Sequence, residues 1–445
     1  MEKDFIPDES KTIVSLRKDR LNSRKKQMLD RLRVNRAWWG SGQFEFLTLV
    51  FIFLLNFYVI YPFFGTYSES VTFSGPVIPV LVNILSVFGT PFYYSLRILS
   101  IVFYLGLPLT FYLLVKYVTG RKMAAFLATL MLSVPVSPFA LSRINYSLLG
   151  SESPHFISLT IIPVAVYFLL HFLKEGMLKN LVFCALFSSL VVLISPSGFF
   201  MLLVFSILAT FSEMLLGHGR LKFIRMIIIL VVVAGLVSFW YNPHYSFSLF
   251  FGDQGKEGRA TVMKLIPISM FSLPVLAVFG FLLFDRKPEM QPIFLASFFT
   301  LAFWIISAVG GNFSSSGSLS YVSEFGISLA LLLGILIIKS IEYARTSPKI
   351  IAIFERFKIP KLLLNGGLLA IILMGMVVWT ILGGMSIRSS YSQEVSQVLG
   401  VSQTNVLWEE RVGSNTGLPA IWGYVLTLAT VSFLIMPHLR ARLQK

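Results

Sequence analysis

The sequence predicts an all-α polytopic membrane protein of about twelve transmembrane helices, with an interfacial helix in the first outer loop. Three observations lead there. Only 13% of the residues are charged and 56% are hydrophobic, whereas soluble domains carry about 25% charged residues. Mean hydropathy is +0.78. Apolar runs of spanning length alternate with short polar gaps, and Lys and Arg crowd every second gap, as expected where cytoplasmic loops retain basic residues.

The first 43 residues are polar and hold 11 Lys and Arg. They predict a basic cytoplasmic segment with a helix over 10–37 and a weak apolar stripe at Val14, Leu21, Met28 and Leu32. One reading is a solvated flank that sets orientation. The other is an amphipathic helix that binds lipid or a membrane-protein partner. No cleavable signal peptide is visible, and the first apolar run is long enough to span, so that run is expected to be the anchor.

A spanning helix needs about 20 mostly apolar residues. The runs that qualify are 44–63, 97–117, 123–139, 156–173, 180–196, 198–216, 226–243, 264–284, 290–309, 322–342, 365–384 and 418–437. Together they make a transmembrane domain over 44–437, followed by a basic tail over 438–445. Outer loops are expected at 64–96, 140–155, 244–263, 310–321 and 385–417, the last as a small helical cap. The uncharged stretch 76–94 contains Pro76, Pro79, Gly89 and Pro91 and has too short an apolar core to span. It predicts a helix along the outer interface, with Tyr93 and Tyr94 at headgroup depth and Arg97 opening the second span.

With both termini inside, 30 of the 37 basic residues and 13 of the 21 acids fall on the cytoplasmic side. The net charge of +16 therefore meets anionic headgroups, not nucleic acid. The expected location is the plasma membrane of a prokaryote.

Chemistry is sought on the outer face. The chain has no Walker A, dinucleotide-binding, HExxH or GxSxG motif. Five His and the single Cys184 make a poor zinc set. Three outer acids stand at membrane boundaries, where a carboxylate is costly without a partner: Glu69 in Tyr67-Ser-Glu-Ser70, Glu152 in Gly150-Ser-Glu-Ser-Pro-His155, and Glu324 in Tyr321-Val-Ser-Glu324. The plain alternative is that they are solvated loop acids. Of the outer cations, Arg97, Arg143, Lys256 and Arg259 are the candidates to meet a phosphate; the plain alternative for Arg143 is an interfacial anchor. The sequons Asn145-Tyr-Ser147 and Asn312-Phe-Ser314 fall on outer loops.

The order of these segments resembles the GT-C superfamily of membrane glycosyltransferases, best over the first seven spans. An acid, Glu69, stands early in a long first outer loop, followed by an interfacial helix. A second loop carries Ser142-Arg143, Gly150 and Glu152 ahead of Ile157-Ser-Leu-Thr-Ile-Ile-Pro-Val-Ala-Val-Tyr167. Within the superfamily the chain looks most like the transmembrane region of the oligosaccharyltransferase catalytic subunit, whose Ser-Val-Ser-Glu-like motif resembles Tyr321-Val-Ser-Glu324. Phe239-Trp-Tyr-Asn-Pro243 suits a broader group of GT-C-like membrane proteins. Two departures stand out. Glu69 replaces the usual Asp, and Ile421-Trp-Gly-Tyr424 is only an echo of the acceptor motif Trp-Trp-Asp-Tyr-Gly.

The resemblance implies transfer of a sugar from a polyprenyl-phosphate-linked donor, with Glu69 and Glu152 as catalytic residues. Glu69 suits a general base. Glu152 offers one ligand to a divalent metal, Mg or Mn, in a site poor in further carboxylates. Arg97, Arg143, His155, Arg259 and Glu324 line the substrate, the arginines suiting phosphate geometry. Two other classes stay open: a catalytically inactive GT-C-like scaffold in an envelope or glycan-assembly complex, and a transporter or lipid flippase. The last is disfavoured because the span centres carry almost no charge.

Overall fold

The computed structural model describes residues 42–64, 70–73, 75–149, 153–215, 219–251, 290–309, 321–347, 367–398, 405–408 and 417–443. The chain forms two units, Met1–Phe51 and Ile52–Lys445, and the contacts that build the helix bundle lie within the second. The predicted N-terminal helix over 10–37 and the expected span 264–284 lie outside the described residues.

Helix α1 (Gly42–Ile60) ends in a 3-10 turn, Tyr61–Phe63, and leads to strand β1 (Ser70–Phe73) and helix α2 (Val77–Ser86). Then come α3 (Phe92–Thr119), α4 (Lys122–Ser133), the short α5 (Ala140–Ile144) with a π turn over Asn145–Leu149, and α6 (Ser153–Glu175). They are followed by α7 (Leu178–Ile194), α8 (Pro196–Met214), α9 (Gly219–Val237) and α10 (Pro243–Phe251). The last described elements are α11 (Gln291–Val309), α12 (Val322–Thr346), α13 (Leu368–Val398), β2 (Asn405–Trp408) and α14 (Leu418–Leu443).

Among the described residues, seven helices are long and apolar enough to cross a membrane: α1, α3, α6, α11, α12, α13 and α14. α2, α4, α7 and α8 are shorter apolar helices. Every expected span except 264–284 falls on a described helix, but several bounds differ for identifiable reasons. α4 stops at Ser133, well short of the expected 139, because Pro135 biases the residue before it away from helix. α3 starts at Phe92 rather than at Arg97, directly after Pro91. α9 ends at Val237, and the next loop opens with α10, which begins at Pro243, a favourable first helical position. Of the loop 385–417, expected to form a small helical cap, 399–404 and 409–416 lie outside the described residues. α13 runs on to Val398, since no Gly or Pro interrupts 385–398, and the loop then supplies β2.

The chain is helical as expected, and the described residues add one pair of short strands. β1 and β2 pair in parallel, Ser70 opposite Asn405 through Phe73 opposite Trp408. Two strands alone are marginal. Here Phe73 is buried and meets Phe92 edge-to-face at 6.1 Å between centroids, which fixes the pair to the start of α3. The stretch expected to lie along the interface does form a helix, α2, with Ile78 and Val82 buried and Val80 and Ile84 exposed.

The bundle is built on small residues and hydroxyls rather than on an apolar-versus-polar contrast, since lipid is as apolar as Leu. α4 crosses α12 at Gly334, where an added Cβ would stand 2.6 Å from the Ala128 Cβ; only a glycine lets the two backbones come this close. α3 and α6 are tied reciprocally. Thr160 donates to the Phe103 carbonyl at 3.0 Å and Thr110 donates to the Thr160 carbonyl at 2.9 Å. Both helices also contain a proline, Pro108 and Pro163.

Helix ends collect at two opposite poles. Arg121 pairs with Glu342, Lys174 lies 3.4 Å from Glu213, and Gln291 also reaches Glu213. These contacts put the turns near 120 and 176, the end of α8, the start of α11 and the end of α12 at one pole. At the other, His155 meets Glu324 and Gly383 rests on Pro135. Arg121, Lys122, Lys174, Lys222 and Arg225 belong to the first, basic pole; Arg97 and Arg143 belong to the second.

Candidate functional site

The second pole holds the described candidates. His155 opens α6 and Glu324 opens α12, and their side chains meet with Nε2 2.6 Å from Oε1. The two side chains are 7% and 1% exposed. An ionised carboxylate only accepts, so with Glu324 charged the imidazole Nε2–H donates. Each residue is also fixed through its backbone. Ser158 donates to the His155 carbonyl at 2.6 Å, and Ser328 to the Glu324 carbonyl at 2.9 Å. Tyr321 stacks edge-on to the imidazole with centroids 6.3 Å apart. It sits just before α12 with φ at 43°, a left-handed backbone that is uncommon for a bulky residue and stores strain beside the pair.

Arg143 lies on α5 and is wholly buried, so it is not the interfacial anchor of the plain reading. Its Nη2 donates to the Leu132 carbonyl at 2.7 Å and lies 3.5 Å from Asn56 Oδ1. The guanidinium stands 4.8 Å from the centre of the Tyr104 ring, within cation–π range. Leu132 is in the last turn of α4, whose carbonyls have no helical partner, so Arg143 caps that helix. Its Nε and Nη1, the Tyr104 hydroxyl and the Ser147 hydroxyl are buried with no hydrogen-bond partner among the described residues. Asn56 links the cluster to α1 and α4 by donating to the Ile52 carbonyl at 2.9 Å and to Ser133 Oγ at 2.8 Å.

Arg97 is buried in the second turn of α3, two helical turns before Tyr104 and on the same face. Tyr104 stacks with Phe156 at 5.9 Å, and Phe156 follows His155 in sequence. Arg97, Arg143, His155 and Glu324 thus come from α3, α5, α6 and α12 to one pole. Glu69, Glu152, Lys256 and Arg259 lie outside the described residues.

Sequence reasoning missed Asn56, Tyr104 and Ser133. The available signal was Asn56, an amide in the middle of an apolar run. It also passed over Glu213 at the basic pole. The Glu213 carboxylate is 1% exposed and receives Lys222 Nζ at 3.0 Å.

The described residues do not form a divalent-cation site. His155 and Glu324 direct their facing atoms at each other across 2.6 Å, too close to admit a cation with ligand bonds of about 2.0–2.2 Å on each side. Among the described residues, no group of three His, Cys, Asp or Glu gathers elsewhere.

Fold and pole together define an α-helical integral membrane protein with several membrane-crossing helices and a buried polar cluster at one end. No protein-family model matches the chain, and a search of curated proteins finds no match either.

Proposed function

We propose that this chain is a membrane glycosyltransferase that moves a sugar from a polyprenyl-phosphate-linked donor at the pole opposite the basic one. The observation that carries the reading is convergence: four candidate residues from four separate elements reach one pole, and two of them touch. Positive-inside sorting makes the basic pole cytoplasmic and the reacting pole external, in the plasma membrane of a prokaryote with GT-C-like spans. Transfer requires a base that takes the acceptor's proton, a role for Glu69, and positive charge beside the departing phosphate. Arg97, Arg143 and Arg259 offer that charge, with Glu152 the second catalytic carboxylate. The His155–Glu324 pair holds the mouths of α6 and α12 together beneath the substrate.

A second reading is a catalytically inactive scaffold in an envelope or glycan-assembly complex. It is favoured by one observation: His155, Glu324 and Arg143 are already engaged with the protein itself. The experiment that separates the two uses purified protein and a polyprenyl-phosphate sugar, with and without Mg or Mn. Sugar transfer or release is measured for the wild type, Glu69→Gln and Glu152→Gln. Activity in the wild type, lost in both folded variants, supports the enzyme; unchanged activity in both removes the assigned site. Binding of the lipid-linked sugar without turnover supports the scaffold.

A further inference from the structure

A lateral cleft lies between the outer turns of α1 and α13, lined by Phe57, Tyr58, Tyr61, Pro62 and Gly384. We propose that it seats one acyl chain of a phospholipid from the leaflet at that pole.

Four features point to this occupant. The lining carries no charge. The cleft encloses about 160 Å³, below the roughly 300–1,000 Å³ of a pocket for a drug-sized ligand, so it takes part of one chain and not a headgroup. Its mouth opens between two helices that are long and apolar enough to cross a membrane, and only 11% of the apolar stretch Leu368–Ile387 is buried in the protein. What meets it there is hydrocarbon, not water. Finally, the lining continues along α1 as a ladder of rings. Phe53 and Phe57 are 6.5 Å apart, Phe57 and Tyr61 6.2 Å, and Tyr61 and Phe64 5.7 Å. From Phe53 to Tyr61 the ladder spans about 12 Å at the helical rise per residue, a track along the membrane normal that fits an extended chain. The two phenols at its outer end suit headgroup depth.

Gly384 keeps the seat open. An added Cβ there would stand 2.9 Å from Tyr58 Cε1, so a larger side chain fills the space a lipid would use. Gly375, on the same helix, has nothing within 4 Å of its added Cβ and serves as the control position. The inference does not depend on the glycosyltransferase reading.

The test reconstitutes the full chain in phosphatidylglycerol vesicles containing a trace of phosphatidylglycerol with a diazirine on one acyl chain. After irradiation, labelled peptides are mapped by mass spectrometry. Labelling is expected to concentrate on Phe57–Pro62 in the wild type and in Gly375→Leu. In Gly384→Leu it should fall to the level of the other lipid-facing helices. Phe57→Ala, which removes a wall at a ring already 38% exposed, should give the same loss and covers the case of a misfolded Gly384→Leu. Equal labelling of Phe57–Pro62 in wild type, Gly384→Leu and Phe57→Ala overturns the proposal. So does displacement of the label by polyprenyl phosphate at a mole fraction where added phosphatidylglycerol has no effect, which would make this a prenyl seat.

Discussion

Glu213 shows how much one carboxylate can organise. It sits near the end of α8, 1% exposed, with Lys222 donating both to its carboxylate at 3.0 Å and to its carbonyl at 2.7 Å. Lys222 is itself 12% exposed. Removing one member of a buried pair leaves the other uncompensated, at about 3–5 kcal/mol, so Glu213→Ala should lower thermal stability sharply in a detergent melt. Lys174, at 3.4 Å but 39% exposed, is screened by solvent, and Lys174→Ala should shift the melt far less; equal shifts would refute this account. The same logic applies at the opposite pole. His155→Ala strands a carboxylate that is 1% exposed, whereas His155→Gln retains a donor, so the melt of the Gln variant should lie closer to that of the wild type. His155 and Glu324 were both legible as candidates because each flanks an apolar run. That they face each other across 169 residues was not, because no local pattern encodes which two helix starts become neighbours.

Helices were legible wherever an apolar run was long, and their ends were legible where proline or glycine marks them. Pro91 and Pro135 explain the bounds of α3 and α4 better than charge did. Arg97 misplaced the start of α3, since an arginine suggests a boundary but here is buried within the helix by the packing around it. The hydroxyl ties between α3 and α6 were not legible, because Thr residues are ordinary in membrane helices until a partner carbonyl is in reach. Interhelical hydrogen bonds in membranes average about 0.6 kcal/mol, with a maximum near 1.7. Thr160→Val should therefore cost no more than that, measured by unfolding. Gly334→Leu should cost more, because the Ala128 backbone at 2.8 Å must move to admit it.

For the whole molecule, the sorting of Lys and Arg along the chain anticipated the two poles, since alternate gaps in sequence become the same end in space. Orientation is testable directly. In a Cys184→Ser background, an impermeant maleimide applied to intact cells should label Asn145→Cys, at an exposed position of the second pole. It should reach Lys179→Cys, exposed near the basic pole, only after permeabilisation. The reverse pattern would invert the proposed topology and move the pole that holds His155 and Glu324 inside. The strand pair was invisible to sequence reasoning because four residues carry too little period, and its partner lies more than 330 residues away. That separation bears on biosynthesis. At about 5–20 residues per second, β1 leaves the ribosome roughly a quarter of a minute to a minute before β2 exists. The strand must wait through the insertion of almost every later helix, and its closure marks the moment when the far loop has arrived on the correct side. A chain that stalled before residue 405 would leave β1 without its partner strand, so this short ribbon forms only after nearly all of the chain has been made.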